Sequence, residues 1–550
     1  MTGYFIRNFF LIAVGIVLSI SASAQDTMRK RTVEVTSQFK PVLKDAAKIN
    51  LNASPPTADT TRPRLQYQIP NQNLQFAFQP GMLKPLALDI DTGGRWNNES
   101  YVKAGYGFFK TPLLQAGLSI GDGKMVGVNG YVRHTSSEGK LAYQKYSSTK
   151  FDAAAFFQTA KSLEWNARFG GEQNTFYKYG FDHENFSFPE DSLKLRYQTW
   201  RGRLSMHNLN QTEFGISYAP EVKVDAFSDQ FNNSESNSYF KLPIKKVVGR
   251  VFEVDAAAEA SLSQYKPDGK TKISNNYVSF SPTVLFKTPK VSVHAGLRPS
   301  WDNGEFKLFP NVMGEIGTED KRFAIQLGWA GYLRNSGFQY TARFNPWIWA
   351  PQTVMNTRIE ERYAGVKGAV GDHFAFSAKM AYNRLNNQPL FLNNLINGGK
   401  SFQVLYEPRM DQFQLGGEMG LTFGEQFSLI SNLAINKYRK LQVNEKAWGL
   451  LPLEFTTKMR IQVLKDLFVT SDLFAFSGPW YQNNDGDAKQ LQGAVDLSAG
   501  AEFKIVKNIK IWAQFNNLFN KEYERWNQYP VYGFSFLGGV VFSFAQKPTK

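Results

Sequence analysis

Five histidines, His134, His183, His207, His294 and His373, are the first residues to question about chemistry. They stand far apart, and no two have the spacing that presents a pair of imidazoles to one ion. Asp182, His183 and Glu184 do bring three ligand-type groups together. Consecutive residues of a loop rarely converge on one ion, so they read as a solvated loop. The 550-residue chain has no Cys, which removes thiolate ligands, thiol nucleophiles and disulfides. No phosphate-cradling Gly loop and no Ser-His-Asp arrangement is recognisable. The expectation is a protein that is not an enzyme and has no metal and no cofactor.

The charges show a different kind of order. Glu418, Lys458, Arg460, Asp496, Glu502, Lys504 and Lys510 sit in runs where every second residue is apolar or small. From Leu491 the apolar set is Gly493, Val495, Leu497, Ala499, Ala501, Phe503 and Ile505. After a break at Lys507 and Asn508 it continues as Ile509, Ile511, Ala513 and Phe515, and later as Phe534, Phe536, Gly538, Val540, Phe542 and Phe544. Phe413 to Phe423 and Phe455 to Val463 repeat the pattern. Successive side chains of a strand point to opposite faces, so period two means one apolar and one polar face. The mixed charges then face a lumen, where cross-strand pairing of opposite signs stiffens the wall.

The elements that carry these residues follow. Past the first residues no segment approaches ~18 unbroken apolar positions, so no transmembrane helix is expected. Yet 15% of the residues are aromatic and 42% hydrophobic, while mean hydropathy is −0.37. In a barrel wall every second residue meets lipid, which keeps mean hydropathy low. Only helices and closed barrels satisfy all backbone groups within lipid. The fold class is therefore all-β, a transmembrane antiparallel β-barrel of the outer-membrane type with about 22 strands, within 18–24.

Connections sort into short turns and long loops, as in barrels with short periplasmic turns and long outer loops. The short set is 110–112, 207–211, 288–290, 318–321, 424–426, 465–466 and 507–508. The long set is 172–191, 226–236, 331–358, 385–401, 437–448, 477–489 and 520–531. The long loop "FQYTARFNPWIWAPQ" gathers Phe344, Trp347 and Trp349, which suit an interfacial aromatic girdle better than a ligand platform.

The chain's start differs in kind. Arg7, an apolar core from Phe9 to Ile20 and the small residues Ala22-Ser23-Ala24 read as a signal peptide over 1–24. Residues 25–84 form an irregular segment, periplasmic or lumenal, with Pro41, Pro55, Pro56, Pro63, Pro70 and Pro80. Proline there removes backbone donors and forbids regular wall strands. The barrel is expected over 85–546 and a tail over 547–550. Net charge is +16, but the basic residues are scattered and the chain is marked for export, so nucleic acid is not the expected partner.

The run "IWAQFNNLFNKEYERWNQYPVYGFSFLGGVVFSF" resembles the C-terminal signature of TonB-dependent outer-membrane receptors. Its elements are Asn517, Leu518 and Phe519, then Gly533 opening a Gly-rich last strand, and the terminal aromatic Phe544. "RTVEVTSQF" resembles a TonB box at Thr32, Val33, Glu34, Val35 and Thr36, a strand that a partner's sheet edge could capture. The family's plug is well over a hundred residues long. The sixty or so here between Gln25 and the wall imply a reduced or missing plug. The resemblance implies an integral protein of the outer membrane of a diderm bacterium, with both termini periplasmic. Its implied partners are outer-membrane lipid and lipopolysaccharide, the barrel-assembly machinery, and TonB or other outer-membrane or periplasmic subunits. It implies movement of a solute across the outer membrane. A non-transporting scaffold in an outer-membrane complex and an open porin remain the alternatives.

Overall fold

The computed structural model describes residues 99–545 apart from 123, 124, 161, 321 and 425. The expected signal peptide, the 25–84 segment with Thr32 to Thr36, residues 85–98 and the 547–550 tail lie outside the described residues.

Twenty-two wall strands make one antiparallel sheet. The first half is β1 (Glu99–Gly107), β2 (Thr111–Gly121), β3 (Val126–Glu138), β4 (Lys145–Gln158), β5 (Leu163–Tyr177), β6 (Lys194–Asn208), β7 (Ile216–Tyr218 and Glu221–Asp229), β8 (Ser234–Val248), β9 (Phe252–Lys266), β10 (Ile273–Ser274 and Tyr277–Lys287) and β11 (Val291–Asp302). The second half is β12 (Glu305–Gly317), β13 (Phe323–Ser336), β14 (Met355–Val370), β15 (Phe374–Asn386), β16 (Met410–Phe423), β17 (Phe427–Arg439), β18 (Leu453–Leu464), β19 (Leu467–Ser477), β20 (Ala494–Val506), β21 (Ile509–Asn516) and β22 (Ser535–Ala545). Each pairs with its neighbour in sequence, and β22 returns to β1 from Glu99↔Ala545 to Gly107↔Leu537, which closes the barrel. Closure leaves no open sheet edge, the condition for a sheet to cross lipid. Among the described residues no helix is long and apolar enough to cross a membrane.

Strand β7 is split at Ala219 and Pro220, where proline cannot donate to the ladder. The Asn208 side chain replaces the missing wall bonds: its Nδ2 donates to Ile216 O at 3.0 Å, and Tyr218 N donates to its Oδ1 at 2.8 Å.

The two faces follow the alternation. Val495, Phe503, Ile505, Val540, Phe542 and Phe544 are exposed on the outer face, where lipid would cover them. Opposite charges meet across the lumen face: Lys510–Glu502 at 3.1 Å, Lys379–Glu361 at 2.6 Å, Lys367–Glu315 at 2.9 Å and Arg168–Asp152 at 2.7 Å.

The closing seam departs from the expected polar lumen. There Tyr101, Leu113, Trp512, Leu537 and Val541 form a buried apolar cluster on the inward face. Trp512 Nε1 donates to Ala104 O at 3.3 Å, so the indole reaches across β22 and clamps β1. Two glycines make room for this. A Cβ at Gly105 would lie 2.3 Å from Trp512 Cζ2, and one at Gly539 would lie 2.0 Å from Ala104 O.

Candidate functional site

Counting back from β22 assigns every connection to one end of the barrel. The end that holds the described termini has only short turns, from 122–125 to 507–508. The other end has the long connections 178–193, 337–354, 387–409, 440–452, 478–493 and 517–534. Three details correct the sequence reading. The first turn, 108–110, is short yet belongs to the long-loop end. The expected loop at 226–236 is a hairpin turned at 230–233, because Asp229 accepts bonds from Phe231 N at 2.8 Å and Asn233 N at 3.0 Å. The expected loop at 172–191 begins only after Tyr177, since Glu172 to Tyr177 continue the ladder with β6.

The long loops fold together as a cap with its own core. Phe338–Phe344 is a short helix, Gln388–Asn393 pairs with Phe402–Glu407, and Glu524–Trp526 pairs with Tyr529–Pro530. One buried cluster unites Tyr179, Phe338, Trp347, Phe391, Trp526 and Tyr529 with the wall residues Tyr197, Phe227 and Tyr265. Trp347 stacks on Tyr529 with centroids 4.1 Å apart, and Phe344 stacks on Phe391 at 4.8 Å. Phe344 and Trp347 are therefore cap core and not a lipid-facing girdle. Trp349 is exposed beside them. A second cluster joins Leu390, Ala447, Trp448 and Leu450 to the wall residues Ile359, Leu385 and Met410. Rings of this size dominate core energetics, and buried Tyr and Trp need partners for their polar tips. Tyr197 OH donates to Pro346 O at 2.8 Å, Tyr265 OH to Pro351 O at 2.9 Å, and Trp347 Nε1 to Tyr177 O at 3.0 Å.

Two buried carboxylates fasten the cap. Glu235, on β8 and 2% exposed, accepts from Gln339 N at 2.8 Å and so holds the first turn of the helix to the wall. Glu407, 0% exposed, gathers Gln442 N at 2.6 Å, Val443 N at 3.0 Å, Asn444 N at 2.8 Å and Asn444 Nδ2 at 2.8 Å. Burial alone would raise the Glu407 pKa. The bonds from Asn444, Val443 and Gln442 outweigh it and hold the group below 4.5. Neither carboxylate was legible in the sequence: each is one acid in an ordinary polar position, and its donors lie 104 and 35–37 residues away.

The other predicted positions fall as follows. Asp182 accepts from Glu184 N at 2.9 Å and Asn185 Nδ2 at 2.5 Å, while His183 Nε2 lies 3.1 Å from Tyr179 O, so the triplet is spent on its own turn. Among the described residues no group of three His, Cys, Asp or Glu is arranged to hold a metal. Asn517, with φ +49°, ties the last loop by donating to Lys521 O and Tyr532 O, each at 2.8 Å. Leu518 and Phe519 are exposed, Gly533 directly precedes the Phe534 N that donates to Asn520 Oδ1 at 2.8 Å, and Phe544 faces outward on β22.

No protein-family model and no curated protein sequence matches the chain. Solved structures do. The FrpB iron transporter from Neisseria meningitidis superposes with a TM-score of 0.61 at 9% identity, over 82% of each chain. The siderophore receptor PirA from Acinetobacter baumannii gives 0.60 at 10%, over 81% of this chain and 80% of that one. The fold is that of the TonB-dependent receptor barrel. A variant of the ferric enterobactin receptor PfeA from Pseudomonas aeruginosa agrees, with a TM-score of 0.57 at 11% identity over 81% and 80%. The strand number expected from the sequence is the number observed, 22, and the long-loop end of the barrel is the one that carries the cap.

Proposed function

We propose that this protein is an integral barrel of the outer membrane that moves a solute across it, with the loop-built cap as the outer gate. The observation that carries the reading is the cap itself: separate loops meet in shared cores at the mouth, where Glu235 ties the helical loop to the wall and Glu407 ties two of the loops to each other. A set of loops with its own core suits an element that moves as one unit between two positions. Loops that meet in shared cores across the mouth count against an open porin. In this reading residues 1–24 are removed on export, both termini face the periplasm, and residues 25–84 act as a reduced plug. Thr32 to Thr36 are offered to TonB by strand addition, and assembly and the surrounding lipid and lipopolysaccharide are those of other outer-membrane barrels.

A second reading, a non-transporting scaffold within an outer-membrane complex, is favoured by the size of the same aromatic core, which costs much to open. Planar-bilayer conductance separates the two, comparing the full chain, a chain lacking Gln25 to Met82, Trp347→Ala, and the combination. Gated transport predicts a silent full-length barrel and discrete openings once cap and strap are both relieved. Silence in all four, with partners copurifying in fixed ratio, replaces it with the scaffold. Deleting Thr32 to Thr36 should leave insertion and conductance intact and abolish only energised uptake.

A further inference from the structure

Four separate loops bring two lysines and a set of rings together at the capped end. Lys178 follows β5 directly, and Lys400 lies on the hairpin between β15 and β16. They are 8% and 7% exposed, unusually low for a residue that normally snorkels its charge into water. Lys178 Nζ lies 5.6 Å from the centre of the Phe231 ring and 6.0 Å from that of Trp349. Lys400 Nζ lies 2.9 Å from the centre of the Phe188 ring. Among the described residues neither ammonium has a carboxylate or carbonyl within hydrogen-bonding distance. The nearby acid, Asp229, is occupied by the turn, accepting also from Asn233 Nδ2 at 2.7 Å. Burial, and then the Lys400 charge, set against the weaker attraction of Asp229, bring Lys178 down to about 8. Phe186, Phe231 and Trp349 are exposed around the pair, and Phe186 stacks on Phe188 at 6.1 Å.

Two like charges brought close in largely buried side chains, with no acceptor from the protein, are costly even where the ammonium tips reach water, and rings offset only part of that cost. An oxyanion between the ammoniums would supply both missing acceptors, and the exposed rings would hold a flat apolar group attached to it. We propose that Lys178 and Lys400, walled by Phe188, Phe231 and Trp349, bind an aryl oxyanion: a carboxylate, sulfonate or phosphate carried on an aromatic ring. The site is made of loops that any opening of the cap would separate, so ligand and gate are coupled in binding energy. Binding itself needs no transport, and its failure would leave the gated-barrel reading standing.

The test is calorimetry on the full chain in nanodiscs of zwitterionic lipid, with 2-naphthyl phosphate as probe and 2-naphthol and inorganic phosphate as controls. The expected result is one site for 2-naphthyl phosphate, weaker binding of inorganic phosphate and none of 2-naphthol. Lys178→Met and Lys400→Met should each weaken binding about 10- to 100-fold, the worth of a charge-assisted hydrogen bond. Lys178→Arg should retain most of it, which guards against a methionine variant that merely disturbs the cap. Equal binding of 2-naphthol and 2-naphthyl phosphate, or unchanged affinity in Lys400→Met with the barrel folded, overturns the proposal.

Discussion

Replacing Trp347 with alanine tests whether the cap is one cooperative unit. The indole is 3% exposed, stacks on Tyr529 at 4.1 Å, meets Tyr179 edge-on at 6.0 Å and donates to Tyr177 O at 3.0 Å. Truncating a buried Trp to Ala costs ~3–5 kcal/mol, because transfer energy is lost and the cavity does not fully collapse. The chain has no Cys, so Thr341→Cys, at a position 0% exposed in the helix Phe338–Phe344, gives a single thiol inside the cap. When closing is fast relative to labelling, the labelling rate follows the equilibrium population of the open form. At ~1.36 kcal/mol per decade, Trp347→Ala should speed labelling of that thiol by about two to four decades. A thiol at Ser543 on β22, placed in a separate chain, reports the wall and should not respond. An effect below tenfold at 341 would mean that Trp347 does not hold the cap shut. Equal acceleration at 341 and 543 would mean that the whole barrel loosens, and the cap would not be a separate unit.

Glu407 gives a pH test. Its folded pKa lies below 4.5, so its stabilisation is complete above 4.5 and fades as the pH falls through the folded value. A spin label on Val443→Cys should gain mobility in that acid window, and Glu407→Gln should make it mobile at every pH. Gly539→Val should prevent seam closure, since its Cβ meets the Ala104 carbonyl at 2.0 Å and backbone cannot step aside. Gly420→Ala, with nothing within 4 Å, should be near neutral. Heat-dependent gel migration of the folded barrel reads both. Lys178, held at about 8 against 10.5, binds fewer protons in the folded state between those values. Its burden on stability should therefore ease as pH rises through that range, and binding of 2-naphthyl phosphate should fall over the same range. Calorimetric melting and titration of wild type against Lys178→Met check both slopes.

Period-two alternation is a local property, and it made the wall legible. Val540, Phe542 and Phe544 face outward as their spacing requires, and Lys510 and Glu502 pair on the lumen side. The same logic failed where a face had a partner that spacing cannot reveal. Trp512, Leu537 and Val541 fall on the inward face, yet they are apolar because they close a seam between residues more than 400 positions apart. The loops were harder still. Phe344 and Trp347 looked like a membrane girdle because aromatics near strand ends usually are, and nothing in that stretch states that Phe391, Trp526 and Tyr529 fold over to meet them.

What the chain's sequence determined by itself was the barrel: all-β, about 22 strands, one face for lipid and one for a charged lumen. A strand's faces are set by each residue's immediate neighbours, so they can be read in order along the chain. What only the tertiary structure decided was the cap, with its latches at Glu235 and Glu407 and the paired lysines Lys178 and Lys400. Those groups come from loops that share no period and no sequence neighbourhood. Barrel closure fixes where each loop begins, and only then do buried charges find, or lack, their partners.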